Sequence, residues 1–283
     1  MRLTYRPSDH YSAKSTAHRR KSANKGYDLY GVHRISQKRL QTLARQIAER
    51  EKVVLYSVKQ CRFLTTGQVQ RLHFTDSPTK SACIRATNRM LSRLRDNGLL
   101  LCLPRRRGGI RAGSSAAIWK LTAAGHKFLS LNATGVCSRH RNYKITTAFL
   151  EHTLAIAELF VRLKTDKDII CKTVQFEPDC WREKLKPDLY AVTISGEYED
   201  HWFFEIDRDT EAPVRIIEKC RRYAEHYRSG AEQKSSGVFP LVVWLVPDEK
   251  RKTALERHIT NEMGGFSQLF NVKVFDERFS FTA

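Results

Sequence analysis

Apolar positions along the first half of the chain change period at regular intervals, and each change marks an element. Val53–Phe63 carries a helical pattern. Thr65-Thr66 then offers an N-cap, with Gln68 starting a short helix that runs to about Phe74. Ser77-Pro78 breaks the chain. The next helix is long, about Thr79–Asn97, and Gly98 closes it. Leu99–Leu103 reads as a short strand, Arg105–Gly113 as a Gly/Arg loop and Ala116–Leu121 as a second strand. Thr122 caps a last helix to about Leu129. Residues 1–50 show little apolar periodicity before Ile35, so a largely disordered arm is expected, leading into a short helix near Gln37–Glu49.

Three helices followed by a two-stranded hairpin make a winged helix-turn-helix, expected over residues 51–135. Within its third helix, Ile84, Met90, Leu91 and Leu94 are read as one apolar side with Ala86 beside them. Arg85, Arg89 and Arg93 recur every four residues and form a stripe on another side. In the winged-helix arrangement that stripe faces the major groove of duplex DNA. The loop Arg105-Arg106-Arg107-Gly108-Gly109-Ile110-Arg111 would be the wing, placing Arg105, Arg106, Arg107 and Arg111 over phosphates or in the minor groove.

After a linker at residues 131–142 the pattern changes. A helix is expected over about Ile145–Leu163, and strands over Ile169–Phe176, Asp188–Ile194 and His201–Asp207. A long helix follows at Ala212–Arg228, then a strand at Phe239–Val246, a helix at Lys250–Met263 and a last strand at Val272–Phe275. The order αβββαβαβ predicts a mixed sheet with helices on its faces, a second domain over residues 143–283. The fold class is therefore α/β (α+β).

Charge sharpens this division. Residues 1–140 hold 28 Lys+Arg against 6 Asp+Glu, whereas residues 141–283 hold 22 against 24. All the excess of the +20 chain thus lies with the arm and the winged helix, as a polyanion-binding half requires. The seven cysteines are scattered with no C-x-x-C pair, the usage of a reducing compartment. Cys137 and His140 lack the second close pair that a zinc site needs. No run of about 18 apolar residues occurs, and no secretory signal is evident, so a cytoplasmic bacterial protein without membrane contact is expected. Neither a phosphate-binding G-x-x-x-x-G-K-[ST] nor a G-x-G-x-x-G appears.

The near-neutral half carries the candidate chemistry. Pro187-Asp188 opens one strand and Glu205-Ile206-Asp207 closes the next, so hairpin pairing can bring Asp188 beside Glu205. Carboxylates at the end of an apolar sheet are costly unless paired or metal-bound. Mg²⁺ or Mn²⁺, held by Asp188, Glu205 and Asp207, fits that need and could polarise a phosphodiester. Glu151, His152 and Glu158 on the preceding helix are weaker candidates, His152 being read as a hydrogen-bonded structural histidine.

The P-D…E-x-(K) pattern on an αβββαβ core resembles the PD-(D/E)xK nuclease superfamily. Together with the winged helix, the stretches LTTGQVQRLHF, IWKLTAAGHKFL, EHTLAIAELF, LKPDLYAV and FFEIDRDTEAPVRIIEKCRRYAEHY resemble the replication-relaxation family of plasmids and other mobile elements, over about residues 53–246. The resemblance implies DNA binding in replication, relaxation or conjugative processing, with a relaxase, a replication protein or a second copy as further partners. One position departs from the nuclease pattern: the water-orienting lysine is replaced by Asp207. Lys219 on the following helix is the natural substitute, with Arg222 second. The departure puts a DNA-binding protein with a nuclease-like scaffold ahead of a metal-dependent endonuclease whose catalytic residues would be Asp188, Glu205, Asp207 and Lys219. A winged-helix transcriptional regulator is the third reading.

Overall fold

Among the described residues, Ser36 begins the first helix by accepting a hydrogen bond from the Arg39 amide, capping α1 (Gln37–Gln46). In the computed structural model, residues 35–76, 78–104, 116–131, 145–209, 211–276 and 281 are described. The arm at residues 1–34, the linker with Cys137 and His140, and the loop with Arg105, Arg106, Arg107 and Arg111 lie outside them. The short helix grouped with the arm belongs to the core: Leu40 and Leu43 are fully buried. A helix of ten residues presenting two leucines three apart needs such a surface to persist.

α2 (Glu49–Cys61) follows, then a two-residue strand, β1 (Leu64–Thr65). Thr65 and Gln68 cap α3 (Thr66–His73) reciprocally, the Gln68 amide donating to Thr65 Oγ1 and the Thr65 amide to Gln68 Oε1. α4 (Lys80–Asp96) starts at Thr79 and ends before Gly98, whose φ of +74° suits the left-handed exit. β2 (Leu100–Cys102) and β3 (Ile118–Leu121) pair antiparallel, and β1 adds to β3, giving the order β1-β3-β2. Thr122 caps α5 (Ala123–Leu131) by accepting from the Gly125 amide. Gly125 is required there: a Cβ would lie 2.3 Å from the Leu99 carbonyl oxygen.

The apolar side of α4 differs from the one read from sequence. The buried stripe is Cys83, Thr87, Leu91 and Leu94, and Ile84 is 41% exposed. Thr87 replaces an expected hydrophobe because its hydroxyl donates to the Cys83 carbonyl within the helix, leaving its methyl to pack.

α6 (Thr147–Thr165) is apolar on most of its circumference, and nine of its residues are buried. Such a helix must be covered from several directions. Ala157 and Phe160 join the core built by α1–α5, Leu150 and Leu154 pack with Phe63, Leu103 and Ile118, and Ile156, Leu159 and Leu163 lie on the large sheet. The two halves divided at the linker in the sequence reading therefore share apolar cores.

The large sheet contains β4 (Ile170–Phe176), β5 (Leu189–Ser195), β6 (Tyr198–Ile206), β7 (Leu241–Val246) and β8 (Phe270–Val274), in that spatial order. The first three are antiparallel; β7 and β8 run parallel to β6. Gly196, with φ +60°, makes the tight β5–β6 turn. α7 (Pro213–Ser229) and α9 (Glu249–Met263) cover the face opposite α6, where Phe203, Val242 and Trp244 meet Ile216, Cys220 and Tyr223. Two features were not anticipated: α8 (Ala231–Ser236), split from α7 at left-handed Gly230, and a 3-10 turn at Gly264–Leu269. The result is a mixed α/β fold. Among the described residues, no helix is long and apolar enough to cross a membrane.

Candidate functional site

Two clusters of side chains stand out, one at a strand end and one on a helix surface. The first is set by sheet register. Leu189 pairs with Phe204, so one residue further Asp188 falls opposite Glu205, and the Asp188 amide donates to the Phe204 carbonyl. Alternation turns Phe203 and Glu205 towards α7 and α9. Both carboxylates are buried, Asp188 to 7% exposure and Glu205 to 1%.

Each is held by its own partners. Asp188 Oδ2 accepts from the Ile206 amide at 2.7 Å, and Oδ1 from His152 Nε2 of α6 at 3.1 Å. Glu205 Oε1 accepts from the Tyr223 hydroxyl at 2.8 Å, and Oε2 from Lys219 Nζ at 3.0 Å, both from α7. Lys219 also lies 4.0 Å from Glu211 and sits over the Trp244 ring. The sequence-derived Asp188, Glu205 and Lys219 are thus brought together. Tyr223 was missed; its signal was helical spacing, four residues beyond Lys219 on the face already assigned to the carboxylates.

Asp207 is placed elsewhere. Its Oδ2 accepts from Arg251 Nε of α9 at 2.6 Å, and its Oδ1 from the Asp209 amide. Arg251 also contacts Asp209 and the Glu211 carbonyl, so it clamps the turn after β6 to α9. Arg222 and Arg215 are exposed on α7. Glu151 pairs with Arg208, and Glu158 receives Arg71 and Gln68 of α3 and Arg162 of its own helix. That last node ties α3 to α6.

Electrostatics at the pair reflect burial. Desolvation, and then the charge on Asp188, push the Glu205 carboxyl up to about 7, against the pull of Lys219 and Tyr223. Burial opposes the charge on Lys219, but Glu205, Asp188 and Glu211 together hold its ammonium above the usual lysine range. The hydrogen bond to Asp188 raises His152 despite its burial. One ammonium and one imidazole thus face two adjoining acids. Two adjoining carboxylates are the kind of oxygen pair a hard cation takes, but all four of their oxygens already accept hydrogen bonds from His152, Ile206, Tyr223 and Lys219. Among the described residues, no group of three or more His, Cys, Asp or Glu converges as a metal-binding set.

The second cluster is the outer face of α4. Arg85 and Arg89 are exposed there, together with Ser81, Ile84 and Asn88, and no acid lies on the helix before Asp96. Arg93, the third member of the stripe, donates through Nε to Glu51 Oε1 at 2.7 Å. Glu51 is 1% exposed and also accepts from the Ala48 amide. Arg93 therefore anchors α4 to α2, although part of its guanidinium remains at the surface.

No curated protein and no solved structure matches the chain. A family model described as replication-relaxation matches residues 55–242, which runs from α2 through both clusters into β7. The match covers most of the chain, and the chain belongs to the replication-relaxation family.

Proposed function

We propose that this protein binds duplex DNA in the replication or relaxation of a plasmid or other mobile element, with α4 as the recognition helix of a winged helix-turn-helix and the large sheet as a nuclease-like scaffold. The observation that carries the reading is the outer face of α4: Arg85 and Arg89 stand exposed with no partner among the described residues, while Arg93 and Glu51 fix the helix beneath them. Arginines held on a rigid surface without intramolecular partners lose little on meeting phosphate or base edges. The basic excess of residues 1–140 supports the same reading. Replacing Arg85 and Arg89 together by alanine is expected to weaken binding to the DNA flanking the protein's own gene by at least about tenfold, from roughly 1–3 kcal/mol for each lost base contact. Fluorescence anisotropy at several salt concentrations measures this, and unchanged affinity would reject α4 as the contact surface.

A second reading, a metal-dependent endonuclease, is favoured by one specific observation: Lys219 reaches Glu205 from α7 and so supplies the cation that the Asp207 position lacks. Asp188 and Glu205 would hold a divalent cation, which when bound polarises a phosphodiester. Lys219 would stabilise charge on the scissile phosphate, and His152 and Tyr223 would hold the two carboxylates in place. On this reading Mg²⁺ or Mn²⁺ raises the melting temperature of the wild type, and Asp188→Asn abolishes both that rise and any nicking of supercoiled plasmid. Wild-type protein that neither gains stability from the ions nor nicks leaves the scaffold reading.

A further inference from the structure

The outer face of α4 has a chemistry that goes beyond general affinity for DNA. At about 3.6 residues per turn, Arg85 and Arg89 lie opposite the buried stripe of Cys83, Thr87, Leu91 and Leu94. Ile84 and Asn88, also four apart, form a parallel row on one flank. Arg93 occupies the other flank and is tied to Glu51. Ser81 and Ser92 fill the space between the rows, so no large side chain of α4 stands between the four. Ile84 is 41% exposed on a helix whose other aliphatic side chains, Met90, Leu91 and Leu94, are partly or wholly buried. Asn88 and both arginines lack any hydrogen-bond partner among the described residues.

The three side-chain types here match different base edges. A guanidinium reads guanine O6 and N7, a carboxamide reads adenine N6 and N7, and an aliphatic group packs on the thymine C5-methyl. Four residues advance a helix by about 6 Å, close to two base-pair rises of 3.4 Å. Each row therefore meets bases about two steps apart. Ile84 and Arg85 lie nearest the helix N-terminus, the end that reaches deepest in a recognition helix.

We propose that α4 is a base-reading helix whose site contains guanine opposite Arg85 or Arg89, adenine opposite Asn88 and, about two steps away, a thymine whose methyl group packs against Ile84. The proposal rests on the DNA-binding reading above and adds to it the residues that determine sequence preference. Ile84 is the sharpest element, because an exposed aliphatic side chain contributes nothing to phosphate contact.

The test uses the full chain. Duplexes enriched from a randomised library supply the preferred site, and each thymine in it is then replaced by deoxyuridine, which removes only the methyl group. One replacement is expected to weaken wild-type binding by about threefold to tenfold. Ile84→Ala should bind the thymine duplex as weakly as wild type binds the uracil one, and should be indifferent to the replacement. Asn88→Ala should lose its preference for one adenine by about tenfold while keeping the wild-type salt dependence. Ile84 and Asn88 are at the surface, so circular dichroism and the melting temperature should be unchanged. Enrichment of a site whose uracil penalty persists in Ile84→Ala, or is absent in wild type, overturns the assignment of Ile84. Salt-dependent binding with no sequence enriched overturns base reading by α4 while leaving DNA binding intact. Absence of binding at every salt concentration defeats the DNA-binding reading itself.

Discussion

Phe160→Ala is expected to lower the unfolding free energy by about 3–5 kcal/mol and to destabilise both halves of the chain together. Phe160 is 5% exposed on α6 and meets Phe176 of β4 edge-on at a centroid distance of 5.2 Å. It belongs to the same core as Leu43, Leu55, Val69 and Phe128, which come from α1, α2, α3 and α5. Its neighbour Leu159, and Ile156 one turn back, pack on the strands of the large sheet. A cavity at Phe160 is thus shared by the helical half and the sheet. Polar contacts reinforce the junction: Arg71 and Gln68 of α3 hold Glu158 of α6, and Gln68 also donates to the Leu154 carbonyl. A large apolar interface removes the independence that linked domains otherwise keep. Urea titrations of variants retaining only Trp119 or only Trp244 report each half separately. Both midpoints should fall together in Phe160→Ala. A shift in one alone would show two units that unfold separately.

The stability of Glu205→Gln relative to wild type, measured in chelator, is expected to rise as pH increases from about 4.5 through about 7. Burial and the Asp188 charge raise the folded-state carboxyl from 4.5 to about 7. Folded protein therefore keeps a proton that the unfolded chain has already released. The stability this proton contributes is fully present below 4.5 and is lost as pH rises through about 7. Glutamine stays neutral at every pH, and its oxygen can still accept from Tyr223; its amide nitrogen then replaces the oxygen that accepts from Lys219, a cost that is the same at every pH and leaves the pH-dependent difference intact. Melting temperatures of both proteins between pH 4 and 8.5 should diverge as pH rises. Destabilisation that grows with pH would mean that ionised Glu205 is net favourable beside Lys219, and would remove the cost on which the expectation rests.

Periodicity made much of this molecule legible. The αβββαβαβ order was readable because strand alternation and helical spacing repeat within each element, and both depend on residues close in sequence. Asp188 and Glu205 were readable as neighbours because antiparallel strands joined by a short turn fix their own register. Lys219 was readable as their cation because a helix crossing the sheet at that point presents only one side to it. These are local rules, and the chain follows them.

What the sequence by itself determined was the order of elements, the meeting of Asp188 with Glu205 and Lys219, and the basic outer face of α4. Tertiary structure alone decided which charges remain available and where one core ends and the next begins. Asp207 could have joined the carboxylate pair, but Arg251, 44 residues later on α9, arrives within 2.6 Å of it. Arg93 looked equivalent to Arg85 and Arg89 until Glu51, 42 residues earlier on α2, took its guanidinium. Residues 35–50 and α6 read as arm and domain start, yet both pack into the core of the helical half. The physical reason is common to all of these. An ion pair or an apolar contact forms between groups that packing brings within a few ångströms, and separation along the chain carries no information about that distance.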